Sequence, residues 1–171
     1  RTHVGSSWKE REIMGYHTEF HGQFNLNRPL DKETHEFLTK LASTRRMKRR
    51  MDPKYGVQGE FYVDAATEDD PFGQNEDETV TDGNRPPRTQ PSLWCQWIPN
   101  EDGTAIEWDG GEKFYDYIEW IEYIQKAVLD DKGYHLTGTV YWDGEESGDL
   151  GQIEMRGGKR IVRHAQISYH E

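Results

Sequence analysis

The sequence predicts an α+β fold, a two-layer sandwich in which a mainly antiparallel sheet carries two helices on one face. Three observations predict it. Segments near residues 16–26, 92–99, 104–109, 134–144 and 151–168 alternate apolar and polar residues, the period of a half-buried strand. Two other segments repeat apolar residues at spacings of three and four, the stripe of an amphipathic helix. Short turns such as "NEDG" and "RGGK" join neighbouring strands, a connection open only to antiparallel pairs.

Residues 1–13, "RTHVGSSWKEREI", show no periodicity and read as a non-native or disordered leader. Lys9-Glu10 can be encoded by AAG-GAG, a ribosome-binding sequence upstream of a start codon at Met14, so the native chain is expected to begin there. Residues 14–171 then form one domain, the number that 171 residues allow comfortably.

The first strand alternates through Tyr16, Thr18, Phe20, Gly22, Phe24 and Leu26. Helix one follows, with Asp31 as N-cap and Phe37, Leu38, Leu41, Met47 and Met51 on its apolar stripe. Its basic end, "TRRMKRR", suits the negative end of the helix dipole. Pro53 and Gly56 stop it, and "VQGEFYVD" (57–64) reads as a strand. Residues 65–91 carry four prolines and read as a long loop, which in a compact domain is usually functional or mobile. In "SLWCQWIP" (92–99) Leu93, Cys95 and Trp97 face one way, and Trp94, Gln96 and Ile98 the other. "TAIEWD" pairs with it across the "NEDG" turn. Helix two runs through Phe114, Tyr117, Ile118, Ile121, Ile124 and Val128, with Trp120 at the border of the stripe, and Gly133 ends it. Three strands close the chain.

Four of the six tryptophans lie between residues 90 and 124. Most of these rings stand where a strand pair must face an amphipathic helix, so core packing is expected for them. Trp94 and Ile98 point to the opposite sheet face, where no helix is predicted, and are therefore candidate binding residues.

Residues 51–74 and 129–152 resemble each other. Both pass from a helix end through Asp-x-Lys, a Gly-x-apolar-Tyr run, Asp64 or Asp143, and an acidic loop to Gly-Gln. An internal β-α-β duplication is expected from this.

The formal charge is -11, unevenly placed. Eight carboxylates and no Lys or Arg lie from Asp64 to Asp82, whereas residues 44–50 carry five cations. Free nucleic acid is an unsuitable ligand for such a chain, because binding its backbone needs a basic footprint. A basic protein, or one that itself binds nucleic acid, suits it better, with Asp69, Asp70, Glu76, Asp77 and Glu78 as binding residues. No apolar run approaches the roughly 18 residues that span a bilayer, and the single cysteine, Cys95, has no internal partner. A cytoplasmic protein without membrane attachment is expected.

Two constellations could carry chemistry. His17, Glu19 and His21 project from one face of the first strand, and two imidazoles with a carboxylate can ligate a metal. His135 and Thr137 form a His-x-Thr at the start of a later strand and His17-Thr18 opens the first, an arrangement that resembles the two-histidine phosphoesterases. That resemblance would make His135 and Thr137 catalytic, although Thr18 follows His17 directly and breaks the pattern. "DGGEKFYDY" (109–117) places two glycines before helix two; its carboxylates would repel phosphate, so it reads as a helix cap. No cofactor motif is present.

The run from Gln90 to Ile124, with "GYHTEF", "TRRMKRRMDP" and "GYHLTGTVYWDGEESGDLGQI", resembles a family of small, uncharacterised bacterial and phage proteins. The resemblance covers nearly all of residues 14–155, implies a bacterial or phage origin, and brings no activity with it. The function expected is therefore binding of a protein partner, for instance inhibition of a basic or nucleic-acid-binding protein. The alternative is an enzyme of the metal-dependent or two-histidine kind.

Overall fold

The computed structural model describes residues 15–64, 67–71 and 73–171. The leader expected at 1–13 and the start at Met14 lie outside the described residues. The fold is α+β, as the periodicities require. Its strands are β1 (Thr18–Gly22), β2 (Phe24–Leu26), β3 (Lys48–Arg49), β4 (Val80–Asp82), β5 (Trp97–Pro99), β6 (Ala105–Trp108), β7 (Leu136–Gly144), β8 (Leu150–Arg156) and β9 (Lys159–His164). Helix α1 spans Lys32–Ser43 and α2 spans Tyr117–Tyr123, the latter continuing as a π-helical stretch over Ile124–Leu129 and a tight turn over Asp130–Lys132.

Seven strands make one open, antiparallel sheet in the order β5-β6-β2-β7-β8-β9, with β1 paired to the far end of β7. Segment 18–26 keeps one register along β7, from Thr18 opposite Gly144 to Leu26 opposite Leu136. Midway, β2 also takes up β6, with Phe24 opposite Ile106. The backbones close in at this junction. A Cβ on Gly138 (φ 141°) would stand 2.8 Å from the Gln23 carbonyl oxygen, so only glycine fits.

Alternation decides which face is buried. Phe20, Phe24, Leu136, Val140, Trp142, Ile153 and Met155 point inward and join Leu38 and Leu41 of α1 and Trp120, Ile121 and Ile124 of the second helix in one core. Glu19, His21 and Tyr141, on the reverse face, are exposed. Phe20 is the hub of the aromatic packing, meeting Trp97, Trp108, Phe114 and Tyr117 edge-on at centroid distances of 4.9 to 5.6 Å. Each such pair adds about 0.5–1.5 kcal/mol beyond its buried area. Trp120, placed at the border of the stripe from sequence, is fully buried.

Three elements differ from the sequence reading. Helix α1 ends at Ser43, not near Met51. Thr44 is extended (φ -115°, ψ 128°) and its hydroxyl donates to the Lys40 carbonyl at 2.8 Å, closing the last turn. The basic run beyond it is extended because two of its arginines have partners in the following loop. Arg46, only 2% exposed, donates to Gln90 Oε1 and to the carbonyls of Glu60 and Tyr62. Arg49 donates to the Asp77 carboxylate and to the Thr79 hydroxyl, with its guanidinium 4.1 Å above the Tyr62 ring. The strand expected over 57–64 does not form: Pro53–Tyr55 and Val57–Gly59 are two short 3-10 turns, with Gln58 at φ 53°, and residues 60–64 join no sheet. The duplication is therefore not seen: its first copy is turns, whereas its second copy is the nine-residue strand β7. Finally, the strand expected over 92–99 joins the sheet only at Trp97.

Candidate functional site

Because residues 92–96 run free of the sheet, they form a wall instead of a sheet face. The opposite wall is the connection from β6 to α2, residues 109–116, and the back is the C-terminal end of α1. Between them lies a cleft of about 920 Å³. Its walls are stitched together by their own polar groups. Gln96 Nε2 donates to the Glu112 carbonyl at 2.7 Å, and Gln96 Oε1 accepts from the Trp108 indole. Ser92 Oγ accepts from the Trp120 indole at 2.7 Å and donates to the Tyr115 carbonyl. At the rim the Tyr16 amide donates to the Tyr115 hydroxyl at 3.0 Å.

With those neutral groups engaged, aromatic surface and charge are what the cleft presents. Trp94 and Tyr115 line it, and the Trp94 indole makes no hydrogen bond or ring contact among the described residues. Asp109, Glu112 and Asp116 line it too, and among the described residues none of the three is ion-paired. Asp109 and Asp116 are open to water on one side, yet the walls strip enough solvent to raise both carboxyls above the ordinary aspartate range. Burial is the main cause in each, joined at Asp116 by the Glu119 charge. Two of the three non-glycine residues with positive φ among the described residues are in this same wall, Lys113 at 59° and Asp116 at 57°. Left-handed backbone of this kind clusters at ligand-binding segments.

Of the binding residues expected from sequence, Trp94 lies in this cleft and not on the open sheet face. Ile98, half-buried in β5 opposite Glu107, does not line it. The acidic loop divides into two kinds of residue. Asp70 accepts from the amides of Gln74 and Asn75, and Asp77 holds Arg49 and caps Thr79, so both hold the loop in shape. Asp69, Glu76 and Glu78 face solvent. The loop reaches the cleft through Gln74, which lines it beside Arg45.

The chemical candidates stand apart. His17, Glu19 and His21 share one side of the first strand, with His17 Nε2 3.9 Å from Glu19 Oε1. Among the described residues no three His, Cys, Asp or Glu side chains converge in a metal-ligand group. His21 instead borders a hollow together with Tyr141, Arg163 and His164, of which His164 packs on the core-facing Trp142 ring at 5.3 Å. His135 and Thr137 are exposed at the start of β7, where the Thr137 hydroxyl accepts from the Gly157 amide. His17 lies beside the other end of that strand, next to Thr18, which is opposite Gly144. Nine residue positions of strand at about 3.3 Å each place the two histidines roughly 30 Å apart, too far to flank one phosphodiester. Cys95 is fully buried and its thiol is pushed up to about 12 by burial, which keeps it in the unreactive form.

The sequence predicts a helix cap over 109–117. In the structure the helix starts at Tyr117, and Asp116 at the N-cap position makes no side-chain capping bond. The available signal was carboxylates packed among aromatic residues; the left-handed turns that aim the wall at the cleft leave no mark on composition.

Neither a family model nor a solved structure matches the chain. Over 74 residues, 43% of the chain, it is 34% identical to Congo red hypersensitive protein 1 of Saccharomyces cerevisiae. The matched stretch is 14% of that protein's length. No helix among the described residues is long and apolar enough to cross a membrane.

Proposed function

We propose that this chain is a small acidic binding protein that docks another protein through the Trp94 cleft and the exposed carboxylates of the adjoining loop. The observation that carries the reading is the cleft itself: a hollow of about 920 Å³ whose walls hold an indole without a hydrogen bond and carboxylates without an ion pair among the described residues. Binding hollows are concave, largely apolar and fitted with a few convergent polar groups, and exposed aromatic anchors supply much of the affinity of protein interfaces. The net charge of -11 favours a basic partner and speeds its approach. If that partner's basic surface binds nucleic acid, occupying it would make the chain an inhibitor.

The test is capture of partners from a host lysate on the immobilised chain, eluted by a salt gradient. Parallel columns carry Trp94→Ala, or Asp69→Asn with Glu76→Gln and Glu78→Gln. A partner released at moderate salt and lost from both variant columns supports the proposal, provided that circular dichroism finds the variants folded. A partner retained equally on all three columns contradicts it.

A further inference from the structure

The chain shows within its own fold how it holds an arginine. The Arg49 guanidinium lies 4.1 Å from the Tyr62 ring centroid while Nη1 donates to both Asp77 oxygens at 3.2 and 3.3 Å and to Thr79 Oγ1 at 2.9 Å. An aromatic face below and a carboxylate at the edge hold this side chain at 2% exposure. The pattern is physical: a guanidinium is planar and weakly hydrated, so its face stacks on an aromatic ring while its N–H edge meets a carboxylate.

The cleft presents the same two components. Trp94 offers an aromatic face with no ring contact, and Asp109, Glu112 and Asp116 offer carboxylates with no ion-pair partner among the described residues. Arg45, the guanidinium in the wall, is turned to the Gly83 carbonyl, to which its Nε donates at 3.0 Å. Lys113 is compact against the chain, its stem packed where a side chain on Gly15 would lie. Three carboxylates against these two cations leave the cleft net negative.

From this match we infer that the cleft is an arginine receptor: an arginine side chain of the protein partner stacks on Trp94 and forms charge-assisted hydrogen bonds to Asp109 and Asp116. The inference rests on the cleft being the binding surface and adds the chemistry that it recognises. A lysine carries the same charge but lacks the planar face and the fork of donors, so arginine is preferred. The raised carboxyls of Asp109 and Asp116 accord with this, since a cation beside either carboxyl lowers it and releases protons on binding.

The experiment is calorimetric titration of the full chain with three octapeptides that differ only in carrying four Arg, four Lys or four citrulline residues. The Arg peptide is expected to bind one to one, about tenfold tighter than the Lys peptide, with no heat from citrulline. Affinity is expected to fall about tenfold in Asp109→Asn with Asp116→Asn, and as much in Trp94→Ala. Glu101→Gln with Asp131→Asn, which removes the same charge from exposed positions elsewhere, should leave it nearly unchanged. Asparagine suits both aspartate sites, because it tolerates the left-handed backbone of Asp116 and keeps an acceptor for the Gly111 amide at Asp109. Equal binding of the Arg and Lys peptides, equal loss in both double variants, or no binding of the Arg peptide would overturn the inference. If capture of the partner still depends on Trp94 while the Arg peptide fails, the cleft remains the docking surface and only its arginine chemistry is wrong.

Discussion

Replacing Arg46 by alanine should destabilise the fold by about 3 kcal/mol, the lower part of the range for breaking a buried charged network. Arg46 serves three acceptors: Tyr62 O at 2.7 Å, Glu60 O at 2.9 Å and Gln90 Oε1 at 3.2 Å. Glu60 O would keep a partner, because Gln90 Nε2 also donates to it at 2.7 Å. Gln90 Oε1 would be left buried and Tyr62 O part-buried, both without this donor, at roughly 1–3 kcal/mol each. Against this, the guanidinium carries a desolvation cost of its own. Burial lowers its pKa to about 10, and Nη1 has no hydrogen-bond partner among the described residues. The sum of these opposing contributions falls near 3 kcal/mol. Arg46→Met, which fills the space but restores no donor, should lose about half as much, since methionine keeps the packing contacts. Urea unfolding followed by tryptophan fluorescence gives both values. A loss below about 1 kcal/mol for Arg46→Ala would show that the loop's carbonyls find other donors, and would refute the clamp.

Other consequences can be measured on the same protein. Cys95 should resist a thiol reagent in the native state and react with one equivalent after unfolding, because burial holds its pKa at about 12; rapid native labelling would contradict its placement. Asp31 accepts from the Thr34 amide and hydroxyl and from Tyr134, which lowers its carboxyl to about 2. A depressed carboxyl stabilises above its unfolded pKa, so the roughly 1 kcal/mol that Asp31→Ala removes should be present above about pH 4 and vanish as the pH falls through about 2. Asp109 and Asp116 have the opposite sign. Their folded carboxyls are raised, so ionisation opposes folding above the unfolded pKa of about 3.9. Asp109→Asn with Asp116→Asn should therefore melt no lower than the parent at pH 7, and any gain should disappear below about pH 4.

The fold class was legible because its signals are periodic. Phe20 and Phe24 alternate into the core, Leu38 and Leu41 recur at helical spacing, and Asp31 caps the helix as its position implies. What misled was charge. The arginines at 45–50 read as the basic end of helix one because Met47 and Met51 continue the helical spacing. Only the folded loop reveals that Arg46 and Arg49 are buried clamps with carbonyls and carboxylates up to 44 positions away. Local matching likewise suggested a repeated strand, but Gln58 adopts a left-handed turn and breaks it. The site was half legible: Trp94 was marked as a ring without a core partner, while the segment facing it depends on positive φ at Lys113 and Asp116, side chains that seldom take it.

The most direct test of the cleft as docking surface is amide hydrogen exchange of the chain alone and bound to the partner recovered by capture. Docking in the cleft predicts slowed exchange within 92–96 and 109–116, its two walls. Protection confined to the reverse sheet face over β7, β8 and β9, with both walls unchanged, would contradict it.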